Sequence, residues 1–397
     1  MSKPEKSTDR PEFTLAEEIP VPKGGRKGRP EVGQIVLVLQ GGGALGAYQA
    51  GVYEGLHKAG IEPDWVIGTS IGAINASLIA GNPPADRLDR LKTFWGRVAQ
   101  DPVFDLMSGW PWIGRSLPNW AILAAGVPGF FKPNPLAFLG AHVPLAADAA
   151  GYYSTEPLEA TLGELTDLSR LAATGPRLTV GAANLRTSEM RYFDSRDTVL
   201  TVRHVMASGA LPPGFPPVRI DGELYWDGGI LSNTPVEAVF DDDPRRDSLI
   251  IAVHIWNPEG REPESLWQVM SRQKEVQYSS RALSHIRRQK QIHRLRHIIG
   301  EFARRLPPEA QDEAAVREMA GYGCLTQMHV VRLLAPRLED EDHTKDIDFS
   351  RAGIRARWDA GYDDAKHILE AAPWEVEFDP MEGFHLHELR RVSLQAG

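Results

Sequence analysis

The chain has 397 residues, a net charge of −9, 42% hydrophobic residues and a single cysteine, Cys324. The apolar fraction supports a sizeable core and excludes a mostly disordered chain, and one thiol excludes a disulfide framework or a thiolate-rich zinc site. No uncharged apolar run approaches the roughly 18 residues of a spanning helix, and the acidic balance argues against a nucleic-acid footprint over the whole chain.

Residues 1–30, with five prolines and twelve charges, read as a structureless tail ending in the basic stretch Lys23 to Arg29. The opening residues MSKPEKSTDR lack the apolar core of a secretory leader, so a cytoplasmic location with peripheral membrane contact is expected. The pattern changes at Gln34. Ile35-Val-Leu-Val-Leu39 is a continuous apolar run, as a buried parallel strand requires. A glycine loop, Gly41 to Gly46, and a helix to about Lys58 follow. Asp64 to Ile67 is a second strand and Ser70 to Ala80 a second helix, closed by Gly81-Asn-Pro-Pro. This alternation predicts an α/β fold, three layers around a mostly parallel central sheet. Later strands are expected at Arg177–Ala182, Met190–Phe193, Val218–Ile220, Glu223–Trp226 and Ser248–Val253.

Two segments depart from the plan. Residues 106–147 have Arg115 and Lys132 as their only charges, yet contain Trp110, Trp112, Trp120, Phe130, Phe131 and Phe138. They read as a lid-like insertion over the site that touches bilayer, against the alternative of a loop packing its aromatics into the core. Residues 264–306 read as one long or broken helix with Val269, Val276, Leu283, Ile286, Leu295, Ile299, Phe302 and Leu306 as its apolar stripe. Met328–Leu334 is then a strand, and Asp348–Ala371 a helix with Ser350 as N-cap. The expected organisation is a tail (1–30), an α/β domain (31–262) and a mainly helical extension (263–397).

Three motifs carry chemistry. Gly68-Thr-Ser70-Ile-Gly72 has the Gly-x-Ser-x-Gly form between a strand and a helix, where a serine on a strained turn projects at a helix N-terminus. The alternative is that Ser70 only caps that helix. Gly41-Gly-Gly-Ala-Leu-Gly46 follows the first strand, and adjacent glycines let backbone N–H groups converge on an anion. It also fits a dinucleotide loop through Gly41, Gly43 and Gly46, but that fold wants an acidic residue at the end of the second strand, where Gly-Thr-Ser-Ile-Gly stands instead. Asp227-Gly228-Gly229 ends a strand; alone it is most simply an Asx turn.

In this order the three motifs resemble the patatin-like phospholipase family, as do Ala207-Ser-Gly-Ala-Leu-Pro-Pro-Gly-Phe-Pro-Pro217 and Asn233-Thr-Pro235. The resemblance covers about residues 34–260. It implies a patatin-like domain at 31–262 that hydrolyses lipid acyl esters by a Ser–Asp dyad, without cofactor, metal or catalytic histidine. By motif position Ser70 would be the nucleophile, Asp227 its base, and Gly41, Gly42, Gly43, Ala44, Leu45 and Gly46 the oxyanion loop. Gly68, Gly72, Gly228 and Gly229 would support them. Leu45 departs from the family, which usually carries Arg or Lys there. The extension resembles that of a bacterial subgroup. Two alternatives stay open: a Ser–Asp–His esterase using His254, and a non-catalytic lipid-binding protein on the same fold.

Between Ser271 and Arg305, ten Lys or Arg face two acids, Glu275 and Glu301, a local charge of +8. Such segregation suits an anionic membrane, reached through 271–305 and 106–147, unless Asp241–Asp243 or Glu339–Asp342 neutralise it internally. No aromatic-rich nucleic-acid module accompanies the run, so no nucleic-acid partner is expected.

Overall fold

A computed structural model describes residues 13–15, 29–99, 125–140, 142–172, 175–260, 262–338, 341, 344–379 and 382–391. In chain order the elements are β1 (Phe13–Leu15), β2 (Gln34–Leu39), α1 (Ala47–Lys58), β3 (Trp65–Thr69), α2 (Ile71–Ala80) and α3 (Pro84–Val98). A two-stranded ribbon, β4 (Lys132–Pro133) and β5 (Tyr153–Ser154), precedes α4 (Glu156–Leu165), β6 (Arg177–Asn184), β7 (Met190–Asp194) and α5 (Val202–Ser208). Then come β8 (Val218–Ile220), β9 (Glu223–Asp227), α6 (Glu237–Phe240), β10 (Ser248–His254) and α7 (Leu266–Arg304). The chain closes with α8 (Pro308–Gln311), α9 (Ala314–Ala320), β11 (Met328–Leu334), α10 (Arg351–Ala371) and β12 (Phe384–Arg391).

The strand order is β1-β12-β11-β10-β2-β3-β6-β9-β8, with β7 also on β6, and the strands from β12 to β6 all run parallel. The chain builds outward from β2 through β3 to β6, then returns to the other side of β2 with β10. That reversal is a topological switch point, where loops at the carboxyl ends of two neighbouring strands part and leave a crevice. Both faces of the sheet are covered, so β2 and β10 are buried along nearly their whole length. Ile35, Leu37 and Leu39 face the layer of α1 and α2, whereas Val36 and Val38 face Val239, Phe240 and Ile286. The result is the three-layer arrangement expected from the alternation of strands and helices.

The chain after residue 262 is rich in helix, and it also completes the sheet, since β11 and β12 continue it in parallel register beyond β10. Its last helix, α10, lies on α1 in backbone contact. A Cβ added to Gly51 would sit 1.9 Å from the Trp358 carbonyl oxygen, and one on Gly361 2.0 Å from that of Tyr48. Ser350 caps α10 by accepting the Gly353 N–H at 3.1 Å.

Other expectations change. The tail was expected to lack structure, but Phe13–Leu15 pairs antiparallel with Leu389–Arg391; residues 1–12 and 16–28 lie outside the described residues. Of the aromatic segment, Trp110, Trp112 and Trp120 lie outside the described residues, whereas Phe130 and Phe131 are buried in the core cluster. Helix α7 is unbroken over 39 residues, but its expected stripe is not its buried face. Ile286 is buried, whereas Val269, Val276, Leu295, Ile299 and Phe302 are exposed. Among the described residues, no helix is long and apolar enough to cross a membrane.

Candidate active site

Ser70 sits between β3 and α2 with φ 57° and ψ −126°, a left-handed conformation that a residue with a side chain holds only when its surroundings enforce it. Its N–H donates to both the carbonyl and the hydroxyl oxygen of Ser208, each at 3.1 Å, and the Ser208 hydroxyl donates to the Gly181 carbonyl at 2.6 Å. The flanking glycines permit the bend. A Cβ on Gly68 would lie 2.3 Å from the Gly72 carbonyl oxygen, and one on Gly72 2.2 Å from that of Leu39. Ser70 occupies the N-cap position of α2 yet makes no side-chain capping bond, which removes the structural alternative for this serine.

Strand register brings Asp227 to it. β3 and β9 lie on the same edge of β6, running in opposite directions, because β7 occupies the other edge. Thr69 pairs with Gly181 and Asp227 with the next residue, Ala182, so the ends of β3 and β9 meet head-on. Gly228 lets the chain turn there, since a Cβ would lie 2.4 Å from the Gly181 carbonyl oxygen. The Asp227 carboxylate accepts the Gly229 N–H at 2.7 Å, and the Ser70 hydroxyl lies on the same wall of the cavity, near enough to favour the ionised carboxylate. Complete burial pushes its pKa up to about 6, against the neighbouring Ser70 hydroxyl and the Gly229 N–H, which favour the ionised form.

The glycine loop lies beside this pair. A Cβ on Gly41 would come within 2.9 Å of Ser70 Cβ. Three of the six expected donors are already engaged: Gly41 N–H bonds the Asn233 carbonyl at 3.2 Å, Ala44 N–H that of Asp346 at 2.8 Å, and Leu45 N–H that of Gly42 at 3.2 Å. Leu45 is buried in the core cluster, and Gly46 packs against Ile71. Among the described residues, the N–H groups of Gly42 and Gly43 have no protein acceptor, and both glycines line the cavity. Gly43 has φ +56° and no room for a Cβ, which would meet the Asp346 carbonyl oxygen at 2.2 Å.

That cavity, of about 530 Å³, opens over Ser70 and Asp227. Its walls are largely aromatic and aliphatic, with Phe130, Phe131, Tyr153, Phe215 and Phe349 packed edge-on or tilted at 4.9–6.3 Å. Phe130 and Phe131 of the aromatic segment therefore form part of the cavity wall. Among the described residues, no histidine lines the cavity. His254 is fully buried on β10, away from the lining, and burial first, then the charge of Arg332, holds it well below its ordinary pKa. It is no third member of a triad. Among the described residues, no group of His, Cys, Asp or Glu could hold a metal ion.

Several lining residues were not anticipated. Asn233 bridges by donating to the Gly41 carbonyl at 3.1 Å and the Tyr278 carbonyl at 3.4 Å. Trp256 donates its indole N–H to the Gly41 carbonyl at 2.8 Å and tilts against Tyr278. Lys274 holds both carboxylate oxygens of Asp346, at 2.7 and 2.9 Å. Of these, only Asn233 lay in a stretch with a recognisable pattern.

A family model described as "Patatin-like phospholipase" matches residues 37–240, just over half of the chain. The chain belongs to the patatin-like phospholipase family. A second model, described as "Patatin phospholipase", matches residues 276–381, so the patatin-like relationship extends into the C-terminal region. A lysophospholipase of Aspergillus terreus is 27% identical over 203 residues, which cover 51% of this chain and 11% of that protein. Patatin-like phospholipase domain-containing protein 6 of Homo sapiens is 40% identical over 75 residues, 18% of this chain and 6% of that protein. The patatin-like chain thus spans about a tenth of the length of the curated relatives it matches. Among solved structures, VipD of Legionella pneumophila is 14% identical with a TM-score of 0.35, covering 93% of this chain and 72% of that one. The ExoU–SpcU complex of Pseudomonas aeruginosa is 17% identical with a TM-score of 0.33, covering 94% and 61%.

Proposed function

We propose that this patatin-like chain is a serine hydrolase that cleaves carboxylic esters of lipids, in the manner of a phospholipase A or lysophospholipase. The observation that carries the reading is the hydroxyl of Ser70, held on a strained turn against the buried Asp227 carboxylate at the floor of an apolar cavity.

In this mechanism Asp227 takes the hydroxyl proton as Ser70 Oγ attacks the acyl carbonyl. A carboxylate left in water would be too weak a base, and burial that raises its pKa brings it closer to the task. The oxygen that becomes negative would face the N–H groups of Gly42 and Gly43 in the loop before α1, beside the N-terminal end of α2 that follows Ser70, each such donor being worth about 3 kcal/mol in the transition state. Collapse of the tetrahedral species breaks the ester C–O bond, and Asp227 returns the proton to the departing alcohol. Water, deprotonated by the same carboxylate, then attacks the acyl-Ser70 ester and releases the fatty acid. The aromatic walls supply the apolar surface on which an acyl chain is bound.

Such a substrate resides in aggregates, so the reading includes peripheral contact with anionic membrane through the basic 271–305 region and the 106–147 segment. The test is a lipid panel read by mass spectrometry. Fatty acid and lysolipid released by wild type but not by Ser70→Ala is the expected result; no turnover of any ester, or equal turnover by both proteins, overturns it.

A further inference from the structure

Helix α7 is inverted relative to the usual rule for a surface helix. It buries Glu275, Ser279, Gln289, His293, His297 and Glu301, and exposes Leu266, Val269, Met270, Val276, Leu295, Ile298, Ile299 and Phe302. Two of the buried polar groups have partners inside: Glu275 bonds Lys345 and Arg337, each at 2.7 Å, and His293 donates to the Thr326 carbonyl at 2.9 Å, whereas Gln289 Oε1 and the Nδ1 atoms of His293 and His297 have none among the described residues. The inward side of the helix therefore carries mostly polar residues, with Ile286 among them, and the apolar residues named above face outward.

The exposed residues share one side. Leu266 and Phe302 are separated by about ten turns at 3.6 residues each, so they stand on the same azimuth, about 54 Å apart. They are 82% and 67% exposed, where isolated surface apolar residues need no explanation but a row along one helix does. Between the two apolar ends lie the exposed Arg287, Arg288 and Arg294. Both acids of the helix, Glu275 and Glu301, are buried, so the outer face presents only cations. At the N-terminal end the face runs into the cavity mouth, because Trp267 and Met270 line it.

We propose that this face of α7 is a docking surface for an anionic lipid bilayer, lying in the plane of the headgroups with its N-terminal end delivering lipid to the cavity. The inference rests on the lipid-hydrolase reading only for what is delivered; the surface itself is argued from exposure and charge. A second copy of the chain is the poorer occupant. A twofold pairing of α7 through its middle would set Arg287 and Arg288 against their own counterparts, a like-charge contact that an anionic surface turns into an attraction.

The test is sedimentation of the full chain, carrying Ser70→Ala so that no lipid is consumed, with vesicles of phosphatidylcholine with or without about one third phosphatidylglycerol. Binding should be at least roughly tenfold stronger to the anionic vesicles and weaken in high salt. The pair Leu295→Ser and Phe302→Ser, far from the cavity, should cut it by roughly tenfold, as should Arg287→Gln with Arg288→Gln. In otherwise wild-type protein these changes should leave hydrolysis of a soluble short-chain ester unaltered. Equal binding to both vesicles, or binding untouched by either pair with thermal melting intact, overturns the proposal. So does a dimer in light scattering that Leu295→Ser with Phe302→Ser dissociates. Anionic-vesicle binding by a chain whose wild type hydrolyses nothing would refute the catalytic reading and leave the docking surface standing.

Discussion

The backbone carbonyl of Asp346 accepts the Ala44 N–H at 2.8 Å, so a residue from the C-terminal third of the chain fixes the glycine loop beside Ser70. Lys274 on α7 grips the same residue's carboxylate and, among the described residues, is the one cation lining the cavity. Leu45 points into the core instead. The loop is therefore shaped by contacts made from outside the segment that contains it.

Loosening that grip should appear in the chemical step. Lys274→Met, which keeps the stem and removes the charge, is expected to lower kcat about tenfold while KM stays within about twofold, because a displaced donor weakens transition-state binding more than substrate binding. Lys274→Arg should restore part of the loss. Steady-state kinetics on a soluble ester, with melting curves as the folding control, check this; a pure KM effect would assign Lys274 to substrate binding.

Asp227 is costly to the fold. Its pKa, about 6 when folded, lies above the ordinary carboxylate value, so folding is favoured while the group is protonated, and that advantage is lost as pH rises through about 6. Asp227→Asn should thus abolish turnover and yet stabilise the protein by up to about 3 kcal/mol at pH 8, the value of two pK units. Chemical denaturation at pH 8 and pH 4 measures it, and the gain should vanish at the lower pH.

The same pKa sets the activity profile. Since the base must be ionised in the free enzyme, kcat/KM should rise with pH and level off above an apparent pKa of about 6. A profile flat down to pH 4 would remove Asp227 from the role of base.

Acid should attack the molecule at a different place. His329, His385 and His387 lie together where β11 meets β12, and burial first, then neighbouring positive charge, depresses them to about 4, 4 and 3. Their contribution to stability is complete above the unfolded histidine pKa near 6.5 and is lost as pH falls toward 4. At pH 5 each neutral imidazole costs the fold about 2 kcal/mol relative to neutral pH. His387→Leu should therefore narrow the fall in Tm between pH 7.5 and pH 5 by roughly 3 °C. An unchanged fall would place the acid-sensitive group elsewhere.

Ser70, Asp227 and the glycine loop were legible because each sits in a short stretch whose residue types are forced by local geometry: Gly68 and Gly72 have no room for a Cβ, and Gly43 needs a positive φ. Their meeting was implied only by the family resemblance and not by the residues themselves, because it depends on the register of β3 and β9 along one edge of β6. Lys274, Asp346, Trp256 and Tyr278 carry no local signature; they matter because α7 and the loop before α10 pass over the cavity. The period of α7 foretold a helix but not which side would be buried. Apolar spacing reports a face, and only the partners, here Lys345 and Arg337 for Glu275, decide what that face meets.

The most direct test of the Ser70–Asp227 mechanism is intact-mass measurement of a fluorophosphonate adduct, with peptide mapping, on wild type, Ser70→Ala and Asp227→Asn. One adduct at Ser70 in the wild type, none in Ser70→Ala and labelling slowed at least a hundredfold in Asp227→Asn is the predicted result. An adduct that persists in Ser70→Ala, or forms in Asp227→Asn at the wild-type rate, would contradict the mechanism.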